Sequence, residues 1–201
     1  MHVGKEGMKK NTKQWRWWAF AIFAFLIFII LQIPATWLIA KFSKNNQILH
    51  NVSGNIWQGQ ADWQRGQLRG SVHWKTRPLD LLLFRLGANL DIHSGNTQLN
   101  GVLGYGVGQK ITVKNLQGEI SPETLKYFAN WQWPANAIQL NDVQFNYQKE
   151  KGFATAEGQL HWGGGALAYT FGQRQDRMNM PSLMAEIKDE NGQLRIDVRD
   201  Q

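Results

Sequence analysis

Ala154-Thr-Ala-Glu-Gly-Gln-Leu-His-Trp162 repeats in steps of two: Ala154, Ala156, Gly158, Leu160 and Trp162 fall on one side, Thr155, Glu157 and His161 on the other. A strand sends successive side chains to opposite faces, so this pattern reads as a half-buried β-strand. The same period extends outward. Leu68, Gly70, Val72 and Trp74 alternate with Arg69, Ser71 and His73. Leu86, Ala88, Leu90 and Ile92 alternate with Asn89, Asp91 and His93, and Leu194, Ile196 and Val198 with Arg195, Asp197 and Arg199. Trp57, Gly59, Ala61 and Trp63 share a face against Gln58, Gln60 and Asp62. One face buried and one wet is the signature of an antiparallel sheet.

Turn chemistry separates these runs. Gln64-Arg-Gly66, His93-Ser-Gly-Asn96, Gly104-Tyr-Gly-Val-Gly108, Lys149-Glu-Lys-Gly152 and Asp189-Glu-Asn-Gly192 supply the residues that tolerate the positive φ of hairpins. Near Asn141-Asp142 the alternation changes phase, from Ile138 and Leu140 to Val143, Phe145 and Tyr147, which predicts a bulge or a change of strand. Two helical interruptions are expected. Pro78-Leu-Asp-Leu-Leu-Leu-Phe-Arg85 is short and leucine-rich, and Ser121-Pro-Glu-Thr-Leu-Lys-Tyr-Phe-Ala129 carries a Ser cap with Pro at the first helical position. Gly70-Ser-Val-His-Trp74 echoes in Gly158-Gln-Leu-His-Trp162, which raises a duplicated meander with one half on each side of the second interruption.

The N-terminus has a different character. Trp17 to Ala40 carries no charge, and as a helix it would span ~36 Å, enough to cross ~30 Å of hydrocarbon. Trp15, Trp17 and Trp18 stand at one end and Trp37 at the other, where indoles favour the two membrane interfaces. Lys5, Lys9, Lys10, Lys13 and Arg16 precede the segment, so residues 1–16 are expected to form a cytoplasmic basic arm and residues 17–40 a transmembrane helix. The body, 45–201, is then expected on the far side. The apolar run is too long for a cleaved leader, and Pro34-Ala-Thr36 makes a poor cleavage site, so an uncleaved anchor is the better reading.

Charge and composition exclude several functions. Residues 1–16 hold a net +4 of the chain's +7, and the body is close to neutral, which argues against a nucleic-acid partner. The absence of cysteine removes disulfides, thiol catalysis and thiolate metal sites. A count of 10 Trp and a charged fraction of 18% argue against a disordered chain. His50, His73, His93 and His161 show no metal-binding spacing, and the carboxylates are scattered singly, so no catalytic, cofactor or metal residue is nominated. Gly163-Gly-Gly165 lacks the Lys-Ser/Thr ending of a phosphate loop and reads as a loop or strand end. The body's tryptophans read mainly as core. The exception is Trp131-Gln-Trp133-Pro134, expected as an exposed contact loop.

The order of these features resembles protein N of the bacterial type II secretion system. The resemblance is carried by the basic arm and apolar segment ending Gln32-Ile-Pro-Ala-Thr-Trp-Leu38, by Val52-Ser-Gly-Asn-Ile-Trp-Gln-Gly-Gln-Ala61, and by Val72-His-Trp74 with Pro78-Leu-Asp-Leu-Leu-Leu-Phe-Arg-Leu86. It implies a non-enzymatic, single-pass inner-membrane protein of a Gram-negative bacterium, with a periplasmic β-domain and an accessory role in protein secretion. It also implies partners among the secretion components, the outer-membrane secretin and the inner-membrane protein C. Members of this family usually continue past the region of Leu194–Val198, so Leu194, Ile196 and Val198 are expected on an exposed edge strand, where a partner strand can add. The family also looks distantly similar to envelope proteins with curved, lipid-holding β-sheets. The expected fold is therefore a membrane-anchored, curved antiparallel sheet with one N-terminal transmembrane helix and one or two short helices. A lipid-binding groove lined by Trp57, Trp63, Trp74 and Trp162 is the alternative function.

Overall fold

The computed structural model describes residues 12–37, 48–128 and 132–201. The basic arm up to Asn11, the far end of the apolar segment at 38–40, Lys41, Lys44, Ala129 and Trp131 lie outside the described residues. Helix α1 (Thr12–Gln32) leads into β1 (Leu49–Gly54), β2 (Gln58–Arg65) and β3 (Leu68–Thr76). A 3-10 turn (Pro78–Leu83) precedes β4 (Arg85–Ser94), β5 (Thr97–Gly106) and β6 (Lys110–Ile120). A short helix α2 (Pro122–Leu125) is followed by β7 (Ile138–Gln148), β8 (Gly152–Trp162), β9 (Gly165–Phe171), β10 (Arg174–Met180), β11 (Leu183–Glu190) and β12 (Gln193–Asp200).

Ten of the strands form one sheet in the order β1-β2-β3-β4-β5-β6-β7-β8-β11-β12, and every neighbouring pair is antiparallel. Strands β9 and β10 form a separate hairpin between β8 and β11 in sequence. The expected antiparallel architecture is thus observed. Its register explains the alternation in the sequence. Ala61, Val72, Ile92, Leu99, Gly118, Leu140, Leu160, Ala185 and Val198 are cross-strand partners in turn, a single apolar row from β2 to β12. The best-shielded part of this face is Leu140, Val143, Ala156 and Ile187, with Leu99, Leu116, Phe145 and Leu160 packed around them. Sustained contacts among the described elements run between hydrogen-bonded strands, from the 3-10 turn onto β4 and from β12 to β8. No second layer of structure lies over the apolar face among the described residues.

Bulges reset the pattern where it slips. Asp142 has φ 46°, and the β7–β8 register shifts between Asn141 and Gln144, so the phase change in the sequence is a bulge. Asn115 in β6 has φ 50° and marks a shift against β7 between Val113 and Leu116. Bulges in adjacent strands bend the strands that carry them and increase the local twist.

Several expectations need correction. The echo falls on β3 and β8, which are separated by an odd number of antiparallel pairings and so run in opposite directions. The sheet runs as one meander with the β9–β10 hairpin inserted between β8 and β11, and α2 does not divide it into equivalent halves. The expected turn at Gly104–Gly108 begins later, because β5 continues through Tyr105 and Gly106, which pair with Ile111 and Lys110. Leu86, placed on the buried phase of β4, is 59% exposed.

The apolar segment is also not one rod. Helix α1 ends at Gln32, because Ile33 precedes a proline, which disfavours its helical conformation, and Pro34 has no N–H to continue the ladder. The Ile33 carbonyl instead accepts the Ile56 N–H at 3.1 Å, and Pro34 bridges to Asn55, which ties the end of α1 to the β1–β2 connection. Among the described residues no helix is long and apolar enough to cross a membrane. Lys13 and Arg16 lie within α1, and the uncharged helix left from Trp17 to Gln32 spans roughly 24 Å.

Leu140 sits at the centre of the shielded cluster and Val198 at its open margin. Leu140→Ala is expected to lower the unfolding free energy by about 2–3 kcal/mol and Val198→Ala by under ~1 kcal/mol, read from urea unfolding of the two variants.

Candidate functional site

Among the described residues, the nominated partner surface at the C-terminal strand is an edge of the ten-stranded sheet, where β12 pairs with β11. Leu194, Ile196 and Val198 lie on its apolar phase, opposite Asp189, Ile187 and Ala185. They are 38%, 49% and 59% exposed, so this margin of the apolar face is open. The other phase is charged. Arg195 donates to Asp197 at 2.8 Å and to Glu190 at 2.9 Å, and Glu186 faces Lys188 at 2.9 Å and Arg199 at 3.7 Å. Such exposed pairs contribute little stability. Their effect is to make one phase of the edge strand soluble, a usual way of restraining promiscuous strand pairing.

These contacts shape the local titration. The hydrogen bond from Arg195 holds the Asp197 carboxyl below its ordinary range, and the same bond, with that to Glu190, raises the Arg195 guanidinium further. Since the folded value of Asp197 is depressed, its pairing is intact above the unfolded value and is lost only as pH falls through the folded value.

Near the C-terminal end of β12, Gln132 and Ala168 exchange backbone hydrogen bonds of 2.7 and 3.2 Å and fasten the loop before β7 to β9. Trp133 on that loop is half-buried, its ring 6.0 Å from that of Trp162 in an edge-to-face contact. Trp162 donates its indole N–H to the Asn136 carbonyl at 3.2 Å, and Trp74 donates to the Asn55 carbonyl at 3.1 Å. The two His-Trp repeats therefore share a local device, an indole anchored to a loop Asn. Trp63 and Trp74 each lie across a glycine of the neighbouring strand. A Cβ on Gly70 would meet the Trp63 ring at 2.7 Å, and one on Gly59 the Trp74 ring at 2.5 Å. Trp63 and Trp74 thus pack across the sheet and are half-buried.

The N-terminal tryptophans stand apart. Trp15, Trp17 and Trp18 are strongly exposed on α1, and Trp37 is exposed just beyond Pro34. Phe20, Phe23, Phe25, Leu26 and Phe28 are exposed with them, so α1 presents apolar side chains to its surroundings along its length. Among the described residues no group of three His, Asp or Glu side chains converges as a metal site would require. His73 and His93 meet edge to face at 6.2 Å across β3 and β4, without a carboxylate completing a cluster.

Two features escaped the sequence. The β9–β10 hairpin carries no clean alternation, since the described side chains of β10 are nearly all exposed. The short, leucine-rich segment forms the 3-10 turn, and the sequence does not show that its Leu79, Leu82 and Leu83 face outward.

Among the described residues, a single-layer antiparallel meander with an apolar helix tied to one end defines the class: a meander β-sheet protein. The model of the family described as type II secretion system (T2SS), protein N matches residues 45–201, and the chain belongs to that family. A search of curated proteins and of solved structures returned no match. Membership implies a role in type II secretion as an accessory component, together with other components of that system.

Arg195→Gln is expected to return the Asp197 carboxyl titration toward the ordinary value of about 3.9, with no change between pH 5 and 8, as followed by carboxyl NMR shifts.

Proposed function

We propose that the chain is a non-enzymatic assembly component of type II secretion, anchored in the inner membrane through residues 17–40 with its β-body in the periplasm. The body would dock other secretion components, the outer-membrane secretin and the inner-membrane protein C, by strand addition at β12. The observation that carries this is the free edge of a long sheet in a member of a secretion family. An edge strand offers unpaired backbone groups for affinity, and the apolar phase of Leu194, Ile196 and Val198 offers side-chain specificity.

The anchor is supported by the exposed apolar face of α1 and by tryptophans at both ends of the segment. The uncharged part of α1 alone is short of ~30 Å of hydrocarbon. Interfacial indoles, snorkelling of Arg16, and local thinning of the bilayer make up such a deficit at modest cost. A periplasm-active reporter fused after Gln201 is expected to be active, and a cytosol-only signal would refute the orientation.

The chain has no cysteine, so a single Cys at 194, 196 or 198 is a unique crosslinking site. In intact cells, crosslinks from these positions to the periplasmic part of the secretin are expected, and none from Gln67 in the β2–β3 turn. Equal yields from both would remove β12 as the docking edge.

A second reading rests on a separate observation: the apolar row runs from β2 to β12 without a covering layer among the described residues, a surface able to shield acyl chains. On this reading the chain holds lipid against Trp63, Trp74 and Trp162. Native mass spectrometry of gently extracted protein would show bound lipid, and lipid-free protein would exclude it.

A further inference from the structure

The 3-10 turn is built inside out. Its Asp80 is buried, 8% exposed, whereas Leu79, Leu82, Leu83 and Phe84 are 75%, 76%, 64% and 81% exposed. The arrangement is held in place. Arg85 donates to Asp80 at 3.1 Å, and Arg77 lies 3.6 Å from the same carboxylate. The carboxylate rests on Gly87, where a Cβ would come within 2.0 Å of it. Phe84 closes the turn in the left-handed region, φ 53°, with its N–H on the Leu81 carbonyl at 3.0 Å. A turn serving only solubility would bury the leucines and expose the acid. A cluster of exposed large apolar side chains marks a contact surface.

Its position says what it contacts. The turn lies between the end of β3 and the start of β4, and Val107, 79% exposed, extends it at the adjacent β5–β6 turn. Between them runs an open groove of about 530 Å³ lined by Leu83, Phe84, Arg85, Val107 and Lys110. The β1–β2 connection is at the same end of the sheet. Thr76 donates to the Trp57 and Ile56 carbonyls, each at 2.6 Å, and Asn55 bridges to Pro34 at the end of α1. The leucine turn and the exit of the apolar helix therefore share one rim. Among the described residues, the charges on the two turns and the strand ends beside them are Lys75, Arg77, Arg85 and Lys110, and the neighbouring β7–β8 turn adds Lys149, Glu150 and Lys151. The one acid within the leucine turn, Asp80, is already neutralised by Arg77 and Arg85.

The geometry points to an interfacial membrane-contact site: Leu79, Leu82, Leu83, Phe84 and Val107 insert into the headgroup region of an anionic bilayer while Arg77, Arg85 and Lys110 meet its phosphates. This inference rests on the reading of α1 as an anchor, which brings the rim to a lipid surface. An apolar tip ringed by cations combines the two forces that bind peripheral elements to anionic membranes. The site would fix the tilt of the sheet above the bilayer and so aim the β12 edge away from it.

The test uses the full chain in vesicles of phosphatidylethanolamine and phosphatidylglycerol, with one Cys at Leu83 or, as control, at Gln67 in the β2–β3 turn at the far end of the sheet. Both positions are exposed, so neither substitution disturbs packing. Each is labelled with an environment-sensitive dye and challenged with spin-labelled lipid. At least five-fold stronger quenching at 83 than at 67, reduced by Arg77→Gln with Lys110→Gln and by replacing the anionic lipid with phosphatidylcholine, is the expected result. Equal quenching at 83 and 67 in a chain that floats with vesicles overturns this site and leaves the anchor standing. A chain that fails to float overturns both. Protection of the dye at 83 without vesicles, rising with protein concentration, would assign the rim to a second copy of the chain and also overturns the proposal.

Discussion

A sheet with one apolar face and no layer across it depends on register. Each strand must present its apolar residues on the same side as both neighbours, and a slip of one residue turns a strand's whole apolar set toward water. The row from Ala61 to Val198 meets this constraint across nearly the full width of the meander. Where a strand would drift out of phase, an inserted residue corrects it: Asp142 between Leu140 and Val143 keeps both on the shielded side. The bulges are thus part of how the core forms, and they also bend the strands, which brings Leu140, Val143, Ala156 and Ile187 close enough to shield one another.

The same constraint explains what the sequence could and could not show. Strands β2, β3, β4 and β8 lie between a shielded and a wet side, so their alternation is plain in the residues; β12 alternates in chemistry although its apolar side chains are exposed. Even there, alternation gives the phase and not the depth. Leu86 is on the apolar phase of β4 but near its open end, where nothing covers it. Strand β10 is wet on both faces and carries no period to read. The Ser121 cap was legible because its chemistry is local: its hydroxyl accepts the Thr124 N–H at 3.4 Å. Its anchoring to Thr97, which accepts the Ser121 N–H at 2.9 Å from a strand over twenty residues away, was not. Of the nominated docking residues, Leu194, Ile196 and Val198 show their alternation in the sequence but not their pairing with Asp189, Ile187 and Ala185 of β11. The edge-to-face contact of Trp133 with Trp162 is likewise one that spacing does not encode.

Tryptophan takes over work that a second layer would otherwise do. Glycine in a strand leaves a gap and costs backbone entropy. Laying the Trp63 ring over Gly70 and the Trp74 ring over Gly59 fills such gaps with wide, flat surface from the neighbouring strand. Anchoring Trp74 and Trp162 by their N–H groups to loop carbonyls fixes the rings and closes the loops at Asn55 and Asn136. The recurrence of Gly-x-x-His-Trp on strands running in opposite directions reflects a repeated packing solution, a glycine-containing strand ending in a carbonyl-anchored indole.

The two proline-started turns of the sheet make an internal comparison. Both begin with Pro at the first helical position and carry an acid in the first turn. In α2 the leucine, Leu125, is buried and the acid, Glu123, faces water, held below the ordinary carboxylate range by a backbone N–H and by Ser121, although Phe128 just beyond is exposed. In the 3-10 turn the assignments are reversed: the acid is buried between two arginines and the leucines are displayed. Burying a carboxylate costs free energy unless cations and hydrogen bonds offset it, and exposing leucines forgoes ~1.5–3 kcal/mol per side chain that burial would return. Sheet geometry does not demand that loss, since α2 avoids it on the same scaffold. The reversal occurs at the rim to which α1 is tied, where Arg85 and Gly87 of β4 hold the Asp80 carboxylate in and the leucines are turned outward with it.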